Sequence, residues 1–309
     1  MSFTAWFVIA LIAAFALYEL LIRASVYGIL RSYRRTPNRV KREFGFAEPS
    51  DLGLDGEQLK VEVEPGLILR GFVFRTDQPR RGLLVYHHGI WDACRPRLQT
   101  AVRMLPLGFD CLFFDARGHG QSGGRYCTYG AKERHDLVRM LDATQKLGVD
   151  TSHTVVIGHS MGAATAVYAA LMDDRIKALV LEACYRDLPT AIRDYARVYV
   201  IGPPDVVLRA AGRRAARKGD FNPAELSPLK LMPRLKIPVL FVQGTADRRI
   251  KPRYVQEHYD AKPPPRDLHY IEGARHGRVW HEGGEAYLAK LEQWLGTHMP
   301  VLEPQSHNA

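Results

Sequence analysis

Residues 158–162 read Gly-His-Ser-Met-Gly, a G-x-S-x-G pattern with Ser160 at its centre. Val155, Val156 and Ile157, just before it, are β-branched and suit a buried strand. Ala163 to Leu171, just after it, are good helix formers. A sharp strand-to-helix turn strains its central residue and tolerates only tiny neighbours. Such a turn pushes the serine hydroxyl outward at the start of a helix. The backbone N–H of Met161 then faces any oxyanion formed there. The competing reading is a Gly/Ser turn without chemistry, so the partners of Ser160 must decide. Asp247 in FVQGTADRRI and His276 in IEGARHGRVW each follow an apolar run that reads as a strand. His88-Gly89 follows another such run, GLLVYHHG.

The elements that would position these residues alternate. LKVEVEPGLILRGFVFR reads as two strands around a Pro-Gly turn. GLLVYHHG and FDCLFFDARGHG are short apolar strands ending in Gly-rich loops, with helical spacing between them from Leu98 to Leu105. AKERHDLVRMLDATQKL is an amphipathic helix with Leu137, Met140, Leu141 and Thr144 on one side. IKALVLEAC, IPVLFVQG and LHYIEG are further strands, and EAYLAKLEQWL is a closing helix. Strands alternating with helices predict an α/β fold with a mostly parallel sheet and helices on both faces. Sites in such sheets form at the carboxyl ends of strands, where Ser160, Asp247 and His276 all fall. The alternation breaks over residues 185–236, which hold short helical pieces, Gly202-Pro203-Pro204 and the basic run RRAARKG. That is too long for an ordinary connection and predicts an inserted helical cap over the site.

The order Ser160, Asp247, His276 and the segments HHGIW, DARGHGQSGG, GHSMGAA, GTADRRI and GARHG resemble the α/β-hydrolase superfamily over residues 60–297. The likeness is greatest to the branch of monoglyceride lipases, prolyl aminopeptidase-like enzymes and membrane-anchored acyl hydrolases. The resemblance implies that Ser160 is the nucleophile, His276 its base and Asp247 the acid that orients His276. It implies oxyanion N–H groups from Met161 and Ile90, with Trp91 as the substitute for Ile90, and no metal or organic cofactor. Asp115, Arg117 and His119 then belong to a structural loop. Trp91, His88 and Trp280 are candidate pocket residues, the two tryptophans being equally compatible with a core role. His159 reads as a packing residue, because adjacent side chains diverge.

Composition and charge bound the rest. The 309 residues are 46% hydrophobic, enough for one sizeable core. Cys94, Cys111, Cys127 and Cys184 form no C-x-x-C pair and suggest neither zinc nor a disulfide scaffold. The net charge of +10 comes from residues 1–45, at +5, and 183–236, at +6, with the remainder at −1. No nucleic-acid module accompanies it, so no nucleic-acid partner is expected. Phe3 to Ile22 is almost wholly apolar and long enough to cross a bilayer core of about 30 Å. Glu19 lies four residues before Arg23, a spacing that permits an ion pair at the interface, and Trp6 and Tyr18 suit aromatic belts. AFA at 14–16 resembles a signal-peptidase site, but no Lys or Arg precedes the apolar run. The expectation is an uncleaved single-pass anchor over residues 1–30 and a basic, polar linker over 31–59. The hydrolase domain follows over 60–299 and a tail over 300–309. Arginines after the run place the catalytic domain in the cytoplasm.

The function expected is that of a serine esterase or lipase-like acyl hydrolase, with a small acyl molecule as substrate and the membrane as partner. The alternatives are an aminopeptidase, for which Glu182 or Asp187 would bind the substrate amine, and an acyl-protein thioesterase. A non-catalytic binding protein with the same fold is a third. A serine at position 160 excludes the aspartate nucleophile of dehalogenase or epoxide chemistry.

Overall fold

The computed structural model describes residues 2–199 and 204–303. Eight strands form one sheet: β1 (Glu57–Glu64), β2 (Leu67–Phe74), β3 (Gly82–His87), β4 (Phe109–Asp115), β5 (Thr154–His159), β6 (Ile176–Glu182), β7 (Val239–Gly244) and β8 (Arg266–Ile271). Their order is β1-β2-β4-β3-β5-β6-β7-β8. β1, β2 and β4 pair antiparallel, and β4 through β8 run parallel. The chain reverses direction across the sheet at β3, which has β4 on one side and β5 on the other. That reversal opens a crevice beyond the carboxyl ends of β3 and β5.

The parallel strands β3 to β7 are buried on both faces, whereas the edge strand β8 is half-buried. Val156 of β5 packs into one core with Leu112 and Phe114, while Val155 and Ile157 pack into the other with Cys111 and Phe113. A period of two thus distributes a continuous apolar run between two layers. The helices are α1 (Phe3–Leu30), α2 (Pro37–Phe44), α3 (Gln99–Met104), α4 (Glu133–Lys146), α5 (Met161–Ala170), α6 (Leu188–Tyr199), α7 (Asp205–Gly219), α8 (Pro228–Leu231), α9 (Pro252–Ala261) and α10 (Val279–His298). α6 and α7 form the insertion after β6. Residues Gly202 and Pro203 of the expected cap turn lie outside the described residues.

Residues 31–59 are the segment expected as a basic, polar linker. They contain α2, a short 3-10 turn at Pro49–Leu52 and the start of β1. Phe46 enters the core on one face of the sheet. Arg34 donates to the carbonyls of His119, Gly120, Ser122 and Gly124, and Arg35 pairs with Asp92 at 2.9 Å. Arg34 and Arg35 thus tie the segment to the body, while many of its other polar side chains stay exposed.

α1 is one helix of 28 residues, long and apolar enough to cross a membrane. Its first five turns are exposed, whereas Ile22, Val26, Ile29 and Leu30 are buried against Val207, Ala211 and Ala215 of α7. Glu19 does not take Arg23 as its hydrogen-bonding partner. It accepts two bonds from Arg214 on α7, at 2.7 and 2.8 Å, because the docked cap brings a fork of donors that the helix itself cannot.

Candidate active site

Ser160 sits at the junction of β5 and α5 with φ 52° and ψ −108°, a left-handed strain on a non-glycine residue. The flanking glycines are obligatory. A Cβ on Gly158 would stand 2.5 Å from the Gly162 carbonyl oxygen, and one on Gly162 would stand 2.0 Å from that of His87. The strand and helix therefore touch backbone to backbone, and the serine between them is pushed into the crevice. Met161 opens α5, where an N–H has no intrahelical acceptor.

The loop after β3 supplies the opposite side. Ile90 lines the hollow over Ser160. Trp91 also lines it, in a left-handed conformation with φ 62°, and its N–H donates to Ser32 Oγ at 3.2 Å. That engagement favours Ile90 over Trp91 as a second oxyanion donor. His88 lies elsewhere than expected. It is fully buried behind the loop, with Nδ1 against the Gly89 carbonyl at 2.8 Å and Nε2 accepting from Ala116 N–H at 2.9 Å. Its role is to tie the β3 loop to the end of β4. Trp280 is likewise no part of the lining. It packs edge-on against Tyr86 and Tyr287 beneath the sheet, because α10 turns that face inward.

Asp247, after β7, and His276, after β8, meet at 2.7 Å between Oδ2 and Nδ1. Asp247 Oδ1 accepts from the N–H groups of Arg249 and Ile250 at 2.8 and 2.9 Å. Burial pushes the Asp247 carboxyl up, but His276 and those two amides outweigh it and hold it below its ordinary value. Burial lowers the His276 pKa, Asp247 partly offsets this, and the net position is below the usual histidine value. The imidazole is thus neutral at pH 7, with its proton on Nδ1 toward the carboxylate and Nε2 free to accept.

Tyr195 of α6, which carried no signal in the sequence, takes up that capacity. Its hydroxyl lies 2.9 Å from His276 Nε2, and the residue lines the hollow together with Ser160. Burial pushes the phenol up to about 12, against Ser160 and Arg249, which pull it down. The tyrosine therefore stands as a neutral hydroxyl between the serine and the base. A tyrosine on a helix of an insertion has no motif, and only the folded cap reveals it.

The DARGHGQSGG loop is a brace, as the resemblance implies. Asp115 accepts from the N–H groups of Cys94 and Gln121, both at 2.8 Å. Arg117 forms a bidentate pair with Asp136 at 2.7 and 2.6 Å. His159 packs against the His276 ring, centroids 5.0 Å apart, with its Nδ1 3.5 Å from Glu182.

The hollow over Ser160 has a volume of about 520 Å³. Its described lining holds no charged side chain; besides Ser160, Ser25 and three tyrosines, it is aliphatic or aromatic, or glycine. Glu182 is buried behind the site, accepting from Tyr287 Oη at 2.7 Å, and Asp187 caps α6 through Thr190 N–H at 2.8 Å. Arg193, Arg209, Arg213 and Arg217 line a separate hollow with Asp205 and Asp220.

Solved structures share this architecture. The esterase Pf2001 of Pyrococcus furiosus superposes with a TM-score of 0.70 at 22% identity, over 88% of this chain and 98% of that one. Residues 78–214 match the family model for serine aminopeptidase, S33. The chain has the α/β-hydrolase fold. The acylaminoacyl peptidase of Pyrococcus horikoshii shares the fold at a TM-score of 0.60 and 15% identity, over 81% of this chain and 42% of that one. The uncharacterised protein YqkD of Bacillus subtilis (strain 168) is 26% identical over 217 residues, 69% of this chain and 70% of its own length.

Proposed function

We propose that this hydrolase cleaves an uncharged carboxylic ester through an acyl-enzyme on Ser160. The observation that carries the reading is the Asp247–His276 pair, whose Nε2 lies 2.9 Å from the hydroxyl of Tyr195, a residue that lines one uncharged hollow together with Ser160. Serine is a weak nucleophile at its free pKa, so His276 Nε2 accepts its proton as Oγ attacks the carbonyl carbon. Asp247 holds the tautomer and stabilises the imidazolium. The N–H groups of Met161 and Ile90 receive the oxyanion; losing one such donor typically costs about 100- to 1,000-fold in rate. His276 protonates the leaving alcohol, and water then hydrolyses the acyl-enzyme by the reverse path. Tyr195 must yield its bond to Nε2 before Ser160 can use it.

A free-amine substrate needs a carboxylate in the cavity, and the described lining has none. The absence of a carboxylate from the described lining disfavours aminopeptidase activity. In this reading α1 stays on the protein as an anchor with the catalytic domain on the cytoplasmic side. The seating of residues 19–30 on α7 and the arginines that follow support this.

Full-length protein treated with a fluorophosphonate should carry one adduct, on Ser160. The Ser160→Ala variant should lose both labelling and p-nitrophenyl ester hydrolysis while keeping its circular dichroism spectrum. An active wild type with no adduct, or an adduct on another residue, overturns the assignment.

A further inference from the structure

The hollow over Ser160 has one wall that does not come from the hydrolase body. Leu21, Ala24, Ser25, Gly28 and Ile29 of α1 line it, opposite Ser160 and Trp91. The residues between them, Ile22 and Val26, are buried against α7, so this stretch of α1 is held in place on one side and faces the hollow on the other. Tyr129 Oη and Cys127 N–H bond the carbonyls of Ile29 and Leu30 at 2.5 and 2.9 Å, fixing the helix end. A Cβ added at Gly28 would meet nothing within 4 Å, so the space at that position belongs to the hollow.

Length places this wall at a bilayer surface. The 28 residues of α1 extend about 42 Å at 1.5 Å per residue, against a hydrocarbon core of about 30 Å. The surplus of about eight residues corresponds to Arg23–Leu30, which begins with the first arginine and ends at the hollow. The turns before it are exposed and apolar, with Phe15 65% and Leu20 63% accessible.

We propose that α1 is the acyl-chain wall of the active site: a single hydrocarbon chain passes from the bilayer along α1 into the hollow, and Ala24, Ser25 and Gly28 leave the room it occupies. The substrate class is then an ester of a long, unbranched acyl chain resident in the membrane. The proposal rests on Ser160 as nucleophile. An uncharged, largely apolar lining suits a chain that gains about fourfold in binding for each methylene it buries. The helix that anchors the enzyme also sets which acyl groups it accepts.

The test uses full-length protein in phosphatidylcholine vesicles and a long-chain alkyl fluorophosphonate bearing a terminal diazirine. Ser160 Oγ displaces fluoride from phosphorus, and irradiation then inserts the chain end into whatever lies beside it. Crosslinks within Leu21–Ile29 are expected. An adduct on Ser160 with crosslinks confined to the hydrolase body overturns the wall while leaving the nucleophile intact; absence of the adduct overturns the nucleophile. In a second arm, Ala24→Trp and Gly28→Leu should each lower the ratio of kcat/KM for dodecanoate over acetate p-nitrophenyl esters at least tenfold. The ratio is independent of how much protein folds, and an unchanged ratio in both variants refutes the wall. In a third, a long-chain fluorogenic ester in the enzyme's own vesicles should be cleaved faster than the same ester supplied in separate vesicles. Equal rates refute entry from the bilayer.

Discussion

The two sides of the active-site hollow are built by different physics. On the sheet side, backbone touches backbone. Gly158 and Gly162 allow contacts that no side chain could survive, and Asp247 is fixed by two amides and His276. On the helix side, α1, α6 and α7 are held by apolar packing, the Glu19–Arg214 fork and the Tyr195 hydroxyl. The first side has one arrangement available to it. The second consists of side-chain contacts that can slide, and it is where a substrate must enter. In the proposed function, reactivity belongs to the rigid side and selection to the adaptable one.

The largest effect should come from the rigid side. Asp247→Asn should keep the fold and lower kcat about 10,000-fold, because asparagine stabilises the wrong imidazole tautomer. The pH profile carries a second signature. His276 acts only when neutral, and its pKa lies below the ordinary value of about 6.5. The rising limb of kcat/KM in the wild type should therefore fall below that pH. Asp247 raises the His276 pKa, so removing its charge should move the limb lower still in the residual activity. A limb at or above the ordinary histidine value would place the base elsewhere.

A pair of glycine substitutions compares the two sides directly. Gly162→Ala drives a Cβ to 2.0 Å from the His87 carbonyl oxygen and should cost more than about 4 kcal/mol in denaturant unfolding. Gly212→Ala, inside α7, meets nothing within 4 Å and should gain up to about 1 kcal/mol from helix propensity. Equal costs at the two positions would erase the distinction between the walls.

The smallest effect belongs where the sides meet. Tyr195→Phe removes a hydroxyl that must leave His276 Nε2 before catalysis. One hydrogen bond of about 1 kcal/mol corresponds to about fivefold, so fluorophosphonate labelling of Ser160 should accelerate by that factor. Slower labelling would make the hydroxyl a proton relay instead of an obstacle.

The sequence by itself determined the sheet side. The parallel strands announced themselves by short apolar runs, and the turn at Ser160 by glycines two residues away, because these signals are local and steric. The order Ser160, Asp247, His276 pointed to a meeting that the fold then supplies for Asp247 and His276 at 2.7 Å. Tertiary structure alone decided the helix side. Glu19 had Arg23 one turn away, yet it bonds Arg214, 195 positions along the chain, once α7 docks. Tyr195, Trp280 and His88 carried the right chemistry for several roles, and burial assigned them. Tyr195 faces the base, Trp280 sits beneath the sheet, and His88 braces a loop. That α1 lines the hollow over Ser160 was equally illegible, since an apolar helix reads alike whether it faces lipid, a cap helix or a substrate chain. Which of the three it meets is set by what packs beside it, and that contact is made by residues distant in the chain.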